Sequence, residues 1–181
     1  MLIMNHIGGL VWHHAAGLIL GRSNTNYLTA IRNYHVKERG FDDIGYHAMV
    51  FPDGEVLQCR SMMYQGAHVK GRNYDTIGFC FAGNMDLQGP TRKQLRSAID
   101  WTAKFCNCFL IDSNKDFRGH NELANTDCPG RFIDMVLSRE MVGTRLDELK
   151  INPNSEMGNI ELPETCSTWA IPGVCSRVTE E

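Results

Sequence analysis

The segment LVWHHAA (residues 10–16) places three apolar residues directly before two histidines. The apolar run predicts a short buried β-strand, with His13 and His14 at its carboxyl end. Ligands of α/β proteins bind at the carboxyl ends of strands, so the pair is a candidate functional site. Adjacent strand residues point to opposite faces of a sheet, and only one of the two imidazoles can therefore face a given site. The residues alone leave open which one does.

A second segment, FRGHNELANTDCPGR (residues 117–131), holds one imidazole and one thiol, His120 and Cys128. This pair suits zinc, and a catalytic zinc takes three protein ligands and leaves one position open. The third ligand would come from His13 or His14. A surface histidine beside a buried free thiol explains the spacing equally well. Zinc deaminases are excluded because Pro129 follows the cysteine instead of preceding it, and the helical His-Glu-x-x-His motif of metalloproteases is absent.

The intervening sequence predicts alternating strands and helices, with a loop of unclear periodicity at 61–74. Ser23 or Thr25 caps a first helix that ends at Gly40, and Thr91 caps a second helix. The other predicted elements are a hairpin over 45–60, a central strand over 76–82, a strand starting within 108–111, and a third helix from Arg131 to about Val142.

Composition limits the classes of protein to which the chain can belong. Its 181 residues suit one domain over 1–150, followed by a Pro- and Ser-containing tail over 151–181 with no assigned role. A net charge of −3 argues against a nucleic-acid-binding protein, and no apolar run is long enough for a membrane helix. The seven cysteines, an odd number, and the absence of a signal-peptide pattern before Gly9 predict synthesis in a reducing compartment.

Two further features have both a functional and a structural interpretation. Tyr46 opens the hairpin, where a phenol can orient a water or donate to an oxyanion, or simply pack its ring on a neighbour. The glycine-framed basic loop at 66–73 suits the wall of a cleft for an anionic ligand, or an ordinary solvated loop.

Taken together, these motifs resemble the type 2 N-acetylmuramoyl-L-alanine amidases, a family that includes amidase-type phage lysozymes and peptidoglycan recognition proteins. The similarity covers about residues 9 to 140. It implies a single α/β domain with a central mixed β-sheet flanked by helices, and a zinc cleft at one edge of the sheet. The motifs that carry it, in chain order, are VWHHAA (11–16), IGYH (44–47), FPDG (51–54), GAHVKGRN (66–73), TIGFCFAG (76–83), GH (119–120) and CPG (128–130).

The resemblance also implies a role for individual residues. His13, His120 and Cys128 match the zinc ligands, and Tyr46 matches the catalytic tyrosine. Thr126 stands where phage lysozymes carry lysine and catalytic recognition proteins often carry threonine, so a neutral hydroxyl replaces an ammonium beside the oxyanion. The residues expected to line the substrate groove are His47, His68, Lys70, Arg72 and Asn73.

The expected activity is zinc-dependent hydrolysis of the amide between N-acetylmuramic acid and L-alanine. We expect a monomeric phage endolysin that binds peptidoglycan, is made in the bacterial host cytoplasm without a signal peptide, and acts on the cell wall after release. One alternative is a non-catalytic peptidoglycan-binding protein, although such members commonly lack the cysteine ligand. A cytoplasmic muropeptide-recycling amidase is another. Some phage lysozymes of this type also bind RNA polymerase, which makes a regulatory role a third alternative.

Overall fold

Five strands and three helices make up the part of the chain that the computed structural model describes, residues 1–152. A π-helical turn over Tyr34–Glu38 continues the first helix, and a 3₁₀ turn over His120–Glu122 follows the last strand. The strands are β1 (Gly9–His14), β2 (Ala48–Val50), β3 (Val56–Gln58), β4 (Thr76–Phe81) and β5 (Phe117–Gly119), and the helices are α1 (Asn24–Asn33), α2 (Arg92–Phe109) and α3 (Met135–Ile151).

The strands form one mixed sheet in the order β3-β2-β4-β1-β5. β1 is parallel to both β4 and β5, β2 is parallel to β4, and only the β2–β3 pair is antiparallel. Every residue of β1 and β4 is buried, as expected for parallel strands covered on both faces. The predicted α/β class with a central mixed sheet is confirmed.

The two faces of the sheet bury different sets of side chains. Trp12 packs toward α2 with the aromatic residues of β4, and its indole N–H donates to the Thr102 hydroxyl at 3.0 Å. Cys80 faces the opposite side, where Tyr27 of α1 packs in the same cluster. Helices therefore flank both faces, and His13, the neighbour of Trp12 in β1, projects on the α1 side.

Two predicted boundaries near the end of the domain were wrong. Residues 108 and 109 belong to α2 instead of a new strand, and Leu110 ends that helix in a left-handed conformation with φ 54°. The third helix begins at Met135, because the Asp134 carboxylate accepts from the amides of Val136 and Leu137 and so caps the helix there.

The predicted tail from residue 151 lies almost entirely outside the described residues. Ile151 ends α3, and Asn152 is its C-cap. Cys166 and Cys175 are outside the described range, whereas the five cysteines inside it carry free thiols. No helix within residues 1–152 is both long enough and apolar enough to cross a lipid bilayer.

A buried arginine holds the segment that leads into β2. The Arg60 guanidinium donates to the carbonyls of Ile44 (2.8 Å), Gln65 (2.6 Å) and Asp43 (3.0 Å), and the residue is only 4% exposed. Three backbone acceptors from two separate loops are thereby satisfied by one side chain. Tyr46 follows directly after this segment.

We expect Arg60→Met to lower the free energy of unfolding by about 3 kcal/mol, because the buried carbonyls lose their donors. Urea unfolding of wild-type and variant protein measures the change. Arg22→Met is the matched control, since Arg22 is exposed. Equal stability of the two variants would contradict the role given to Arg60.

Candidate metal centre

Three side chains from distant parts of the sequence converge at the carboxyl end of β1. The ligand atoms of His13, His120 and Cys128 all lie within 4.8 Å of one another. The sheet register explains this convergence, because Trp12 pairs with Gly119 across the parallel β1–β5 ladder. His13 follows Trp12 and His120 follows Gly119, so the two histidines lie next to each other. These residues can hold a metal ion.

His13, and not His14, faces this cluster. Its Nδ1 is 3.5 Å from Cys128 Sγ, and its ring centroid is 4.6 Å from that of His120. The His14 ring instead accepts the amide of Met85 at Nδ1 (3.0 Å), with Nε2 3.7 Å from an Asp86 carboxylate oxygen. The alternation of side chains along β1 separates the two histidines, as the strand pattern predicted.

The loop from His120 to Cys128 is held closed by its own backbone and by α3. The Asn121 amide donates to the Cys128 carbonyl at 2.7 Å. The Glu122 carboxylate accepts the Gly119 amide at 2.7 Å and pairs with both terminal nitrogens of Arg139 on α3. His120 and Cys128 are therefore fixed relative to each other before any ligand binds.

The electrostatics of the cluster favour a cation. Burial lowers the pKa of His13 and of His120, with neighbouring imidazoles adding to the effect, so both rings are neutral with a lone pair free. Burial raises the pKa of Cys128 to about 12, and the His14 amide already donates to its sulfur at 3.4 Å. A coordinating cation deprotonates such a thiol. One sulfur and two nitrogens fit a borderline-soft divalent ion with an open position.

A cleft of about 680 Å³ opens above the cluster and is lined by Tyr46 and Thr126 among others. The Tyr46 ring lies 5.3 Å from the His13 ring, and it packs against the cluster that contains the buried Cys80. Burial raises the pKa of Tyr46 well above its ordinary value, so the phenol keeps its proton. The Thr126 hydroxyl accepts the Cys128 amide at 3.2 Å.

Only part of the predicted groove faces this cleft. Lys70, Asn73 and His68 line it, although the Asn73 side-chain oxygen already accepts the amides of His68 and Val69. His68 is largely buried, and both of its ring nitrogens have partners within the protein.

Two residues of the predicted groove are elsewhere. His47 is fully buried, with Nδ1 accepting the Gly78 amide (2.9 Å) and Nε2 bonded to the Tyr64 carbonyl (3.0 Å). Arg72 does not line the cleft and forms a two-point ion pair with Asp75. The structure places neither residue in the lining of the cleft, and their role as substrate contacts stays a prediction.

The residues that form the wall of the cleft on the α1 side were not predicted from the sequence. Ile31, His35, Arg39 and Phe41 line it, and the His35 Nδ1 accepts the Gly45 amide at 3.0 Å, next to Tyr46. The π-helical turn continues α1 into this wall. The four-residue spacing of Ile31, His35 and Arg39 indicates one helical face and was the available signal.

The two buried histidines fit a slot made by glycines. A Cβ added at Gly78 would lie 2.7 Å from the Cγ of His68, and one at Gly66 would lie 2.4 Å from the Cδ2 of His68 and 2.8 Å from the Cε1 of His47. No side chain fits at either glycine without moving a ring.

Gly78→Ala should therefore destabilise the protein by about 1–3 kcal/mol through overpacking against His68. Gly143→Ala is the control, because a Cβ there meets nothing within 4 Å among the described residues and an alanine within α3 should stabilise the helix. Urea unfolding compares them, and a neutral Gly78→Ala would disprove the tight slot.

The fold and the three convergent side chains define an α/β domain with a cleft that can hold a metal ion. The model of the N-acetylmuramoyl-L-alanine amidase family matches residues 4–131, and the chain belongs to that family. This agrees with the resemblance inferred from the sequence motifs.

Individual relatives include both recognition proteins and amidases. The chain is 30% identical over 133 residues to peptidoglycan-recognition protein SC2 of Drosophila melanogaster, covering 72% of each chain. It is 34% identical over 105 residues to an N-acetylmuramoyl-L-alanine amidase of Homo sapiens, covering 57% of this chain and 18% of the relative. The solved endolysin N-acetylmuramoyl-L-alanine amidase LysCS from Clostridium intestinale superposes with a TM-score of 0.69 at 25% identity, over 79% of this chain and 88% of that one.

Proposed function

We propose that this protein is a zinc-dependent amidase that hydrolyses the bond between N-acetylmuramic acid and the L-alanine of peptidoglycan stem peptides. The observation that supports the proposal is that three side chains able to hold a metal ion and the Tyr46 phenol line one cleft. A protein that only bound peptidoglycan would need neither the thiol nor a half-buried phenol in that cleft.

Zinc is the metal that fits the donor set best. His13, His120 and Cys128 supply two nitrogens and one sulfur, a set found in catalytic zinc sites that keep a fourth position open. When bound there, zinc acts as a Lewis acid and lowers the pKa of a water ligand to about 7. The neutral imidazoles require no proton loss to bind it.

Tyr46 is the donor to the negative charge that develops on the scissile carbonyl oxygen. Burial raises the pKa of Tyr46, so its hydroxyl keeps its proton at neutral pH. A neutral phenol can donate this O–H to an oxyanion, which is a strong acceptor.

Thr126 holds a second position near the reacting groups. Its oxygen accepts the Cys128 amide, which uses a lone pair and leaves the hydroxyl proton to donate into the cleft. We assign it a role in positioning the scissile carbonyl oxygen, weaker than that of a charged lysine because a hydroxyl carries no net charge.

The rim of the cleft suits an anionic peptide. Lys70 and Arg39 are exposed, and both line the cleft. Stem peptides carry carboxylates, which pair with such cations. The likeness to the solved endolysin supports a role in phage lysis of the host cell wall.

The decisive experiment is digestion of purified sacculi, followed by mass spectrometry of the released stem peptides. We expect the wild-type protein with zinc to expose the amino group of L-alanine. Cys128→Ser should abolish release because the centre loses its thiolate ligand. Cys108→Ser is the matched control, since Cys108 is an exposed thiol on α2. Binding of sacculi by the zinc-loaded wild type without release would establish a recognition protein instead.

Tyr46→Phe separates metal binding from catalysis. We expect unchanged zinc content and a fall in turnover of about 10²- to 10³-fold, the typical effect of losing one oxyanion donor. Tyr74→Phe serves as the control because Tyr74 is exposed and does not line the cleft. Full activity of Tyr46→Phe in the sacculus assay would remove the phenol from the mechanism.

A further inference from the structure

A second imidazole lies directly behind the ligand His13. The His68 Nδ1 is 3.0 Å from the His13 Nε2, on the side of the ring opposite to Cys128. The two rings are nearly perpendicular, with centroids 5.0 Å apart. The far nitrogen of His68, Nε2, is 3.1 Å from the backbone carbonyl of Thr76 at the start of β4. The three groups form a continuous chain from the cluster into the sheet.

The carbonyl at the end of this chain determines where the protons lie. A carbonyl oxygen only accepts, so the His68 Nε2 must carry the hydrogen in the bond to Thr76. In a neutral ring the His68 Nδ1 is then an acceptor, and the His13 Nε2 must donate to it. The lone pair of neutral His13 is left on Nδ1, the atom 3.5 Å from the Cys128 sulfur.

The surroundings keep the His68 ring neutral and in place. The ring is buried and its nitrogens contact the His13 ring and the Thr76 carbonyl, so no hydrogen-bonded carboxylate stabilises a second proton on it. The glycines at 66 and 78 contact its ring, and the His47 ring lies against it at a centroid distance of 5.7 Å. The ring therefore cannot turn to exchange its two nitrogens.

We infer that His68 is a positioning residue which fixes His13 in its Nε2-protonated form and directs its Nδ1 lone pair at the metal position. This inference rests on the proposed function and replaces the substrate contact expected from the sequence. A hydrogen-bond acceptor behind a ligating histidine fixes its tautomer and orientation, and loss of such a partner typically costs about 10- to 100-fold in metal affinity.

Two variants of nearly equal shape test the inference in the full chain. His68→Asn keeps an acceptor oxygen at the position of Nδ1, whereas His68→Leu fills the same space without an acceptor. Both lose the bond to Thr76, and thermal unfolding of the metal-free proteins checks that each variant still folds. Any difference in metal binding between them then reports on the bond to His13.

Two measurements are made on each protein. Nitrogen-15 NMR of the metal-free protein reads which nitrogen of His13 carries the proton. Competition with a chromophoric chelator gives the zinc affinity. We expect His13 to be protonated at Nε2 in the wild type and in His68→Asn, and to populate both forms in His68→Leu. Zinc affinity should fall about 10- to 100-fold in His68→Leu and stay close to wild type in His68→Asn.

The outcomes separate this inference from the proposed function. A His68→Leu variant with wild-type affinity and an unchanged His13 tautomer would overturn the inference while leaving the amidase intact. Equal losses of affinity in both variants would also overturn it, because the acceptor would then not be what matters. Zinc binding by the wild type without peptide release would overturn the proposed activity alone. The NMR comparison needs no metal and decides the inference even if the wild type binds none.

Discussion

The parallel pairing of β1 between β4 and β5 is the constraint on which the site depends. It sets Trp12 opposite Gly119 on one side and His13 opposite Cys80 on the other. The first of these pairings brings the residue after Gly119, His120, beside His13. The second places Cys80, a member of the cluster against which Tyr46 packs, on the face from which His13 projects. A one-residue slip of β1 would turn the imidazole into the core and the indole into the cleft.

The burial of the strand protects this register. Trp12 occupies the α2 side of the sheet with an edge-on contact to Phe117 of β5 and a hydrogen bond to Thr102. Aromatic side chains bury a large apolar area and so contribute strongly to core stability. The residue that anchors β1 is therefore the immediate neighbour of His13, and packing on one face of the sheet secures geometry on the other.

Local patterns in the sequence were enough for β1, the β2–β3 hairpin, β4 and the N-caps of α1 and α2, whereas the combination of His13, His120 and Cys128 was expected only from the family resemblance. The apolar run before His13 and the polar loop ending at Cys128 carry their own signals. The roles of His47 and His68 were not accessible in this way, because carbonyls from Tyr64 and Thr76 occupy their ring nitrogens. Neither pairing follows from any periodicity. The start of α3 was predicted at Arg131 because Pro129 was taken as the signal for the first turn. The helix begins at Met135 because Asp134 is its N-cap.

The three proposed ligands would also couple a bound metal to folding. His13 belongs to the first strand, whereas His120 and Cys128 lie just beyond the last. A cation bound by all three closes a loop that contains most of the domain, and it therefore acts as a reversible cross-link. Such a link disfavours the denatured chain by reducing its entropy, as a covalent bridge does, but its strength depends on the free metal concentration. With the proposed zinc bound, the persistence of the folded domain would respond to the metal content of its surroundings, a dependence that a disulfide at the same place would lack.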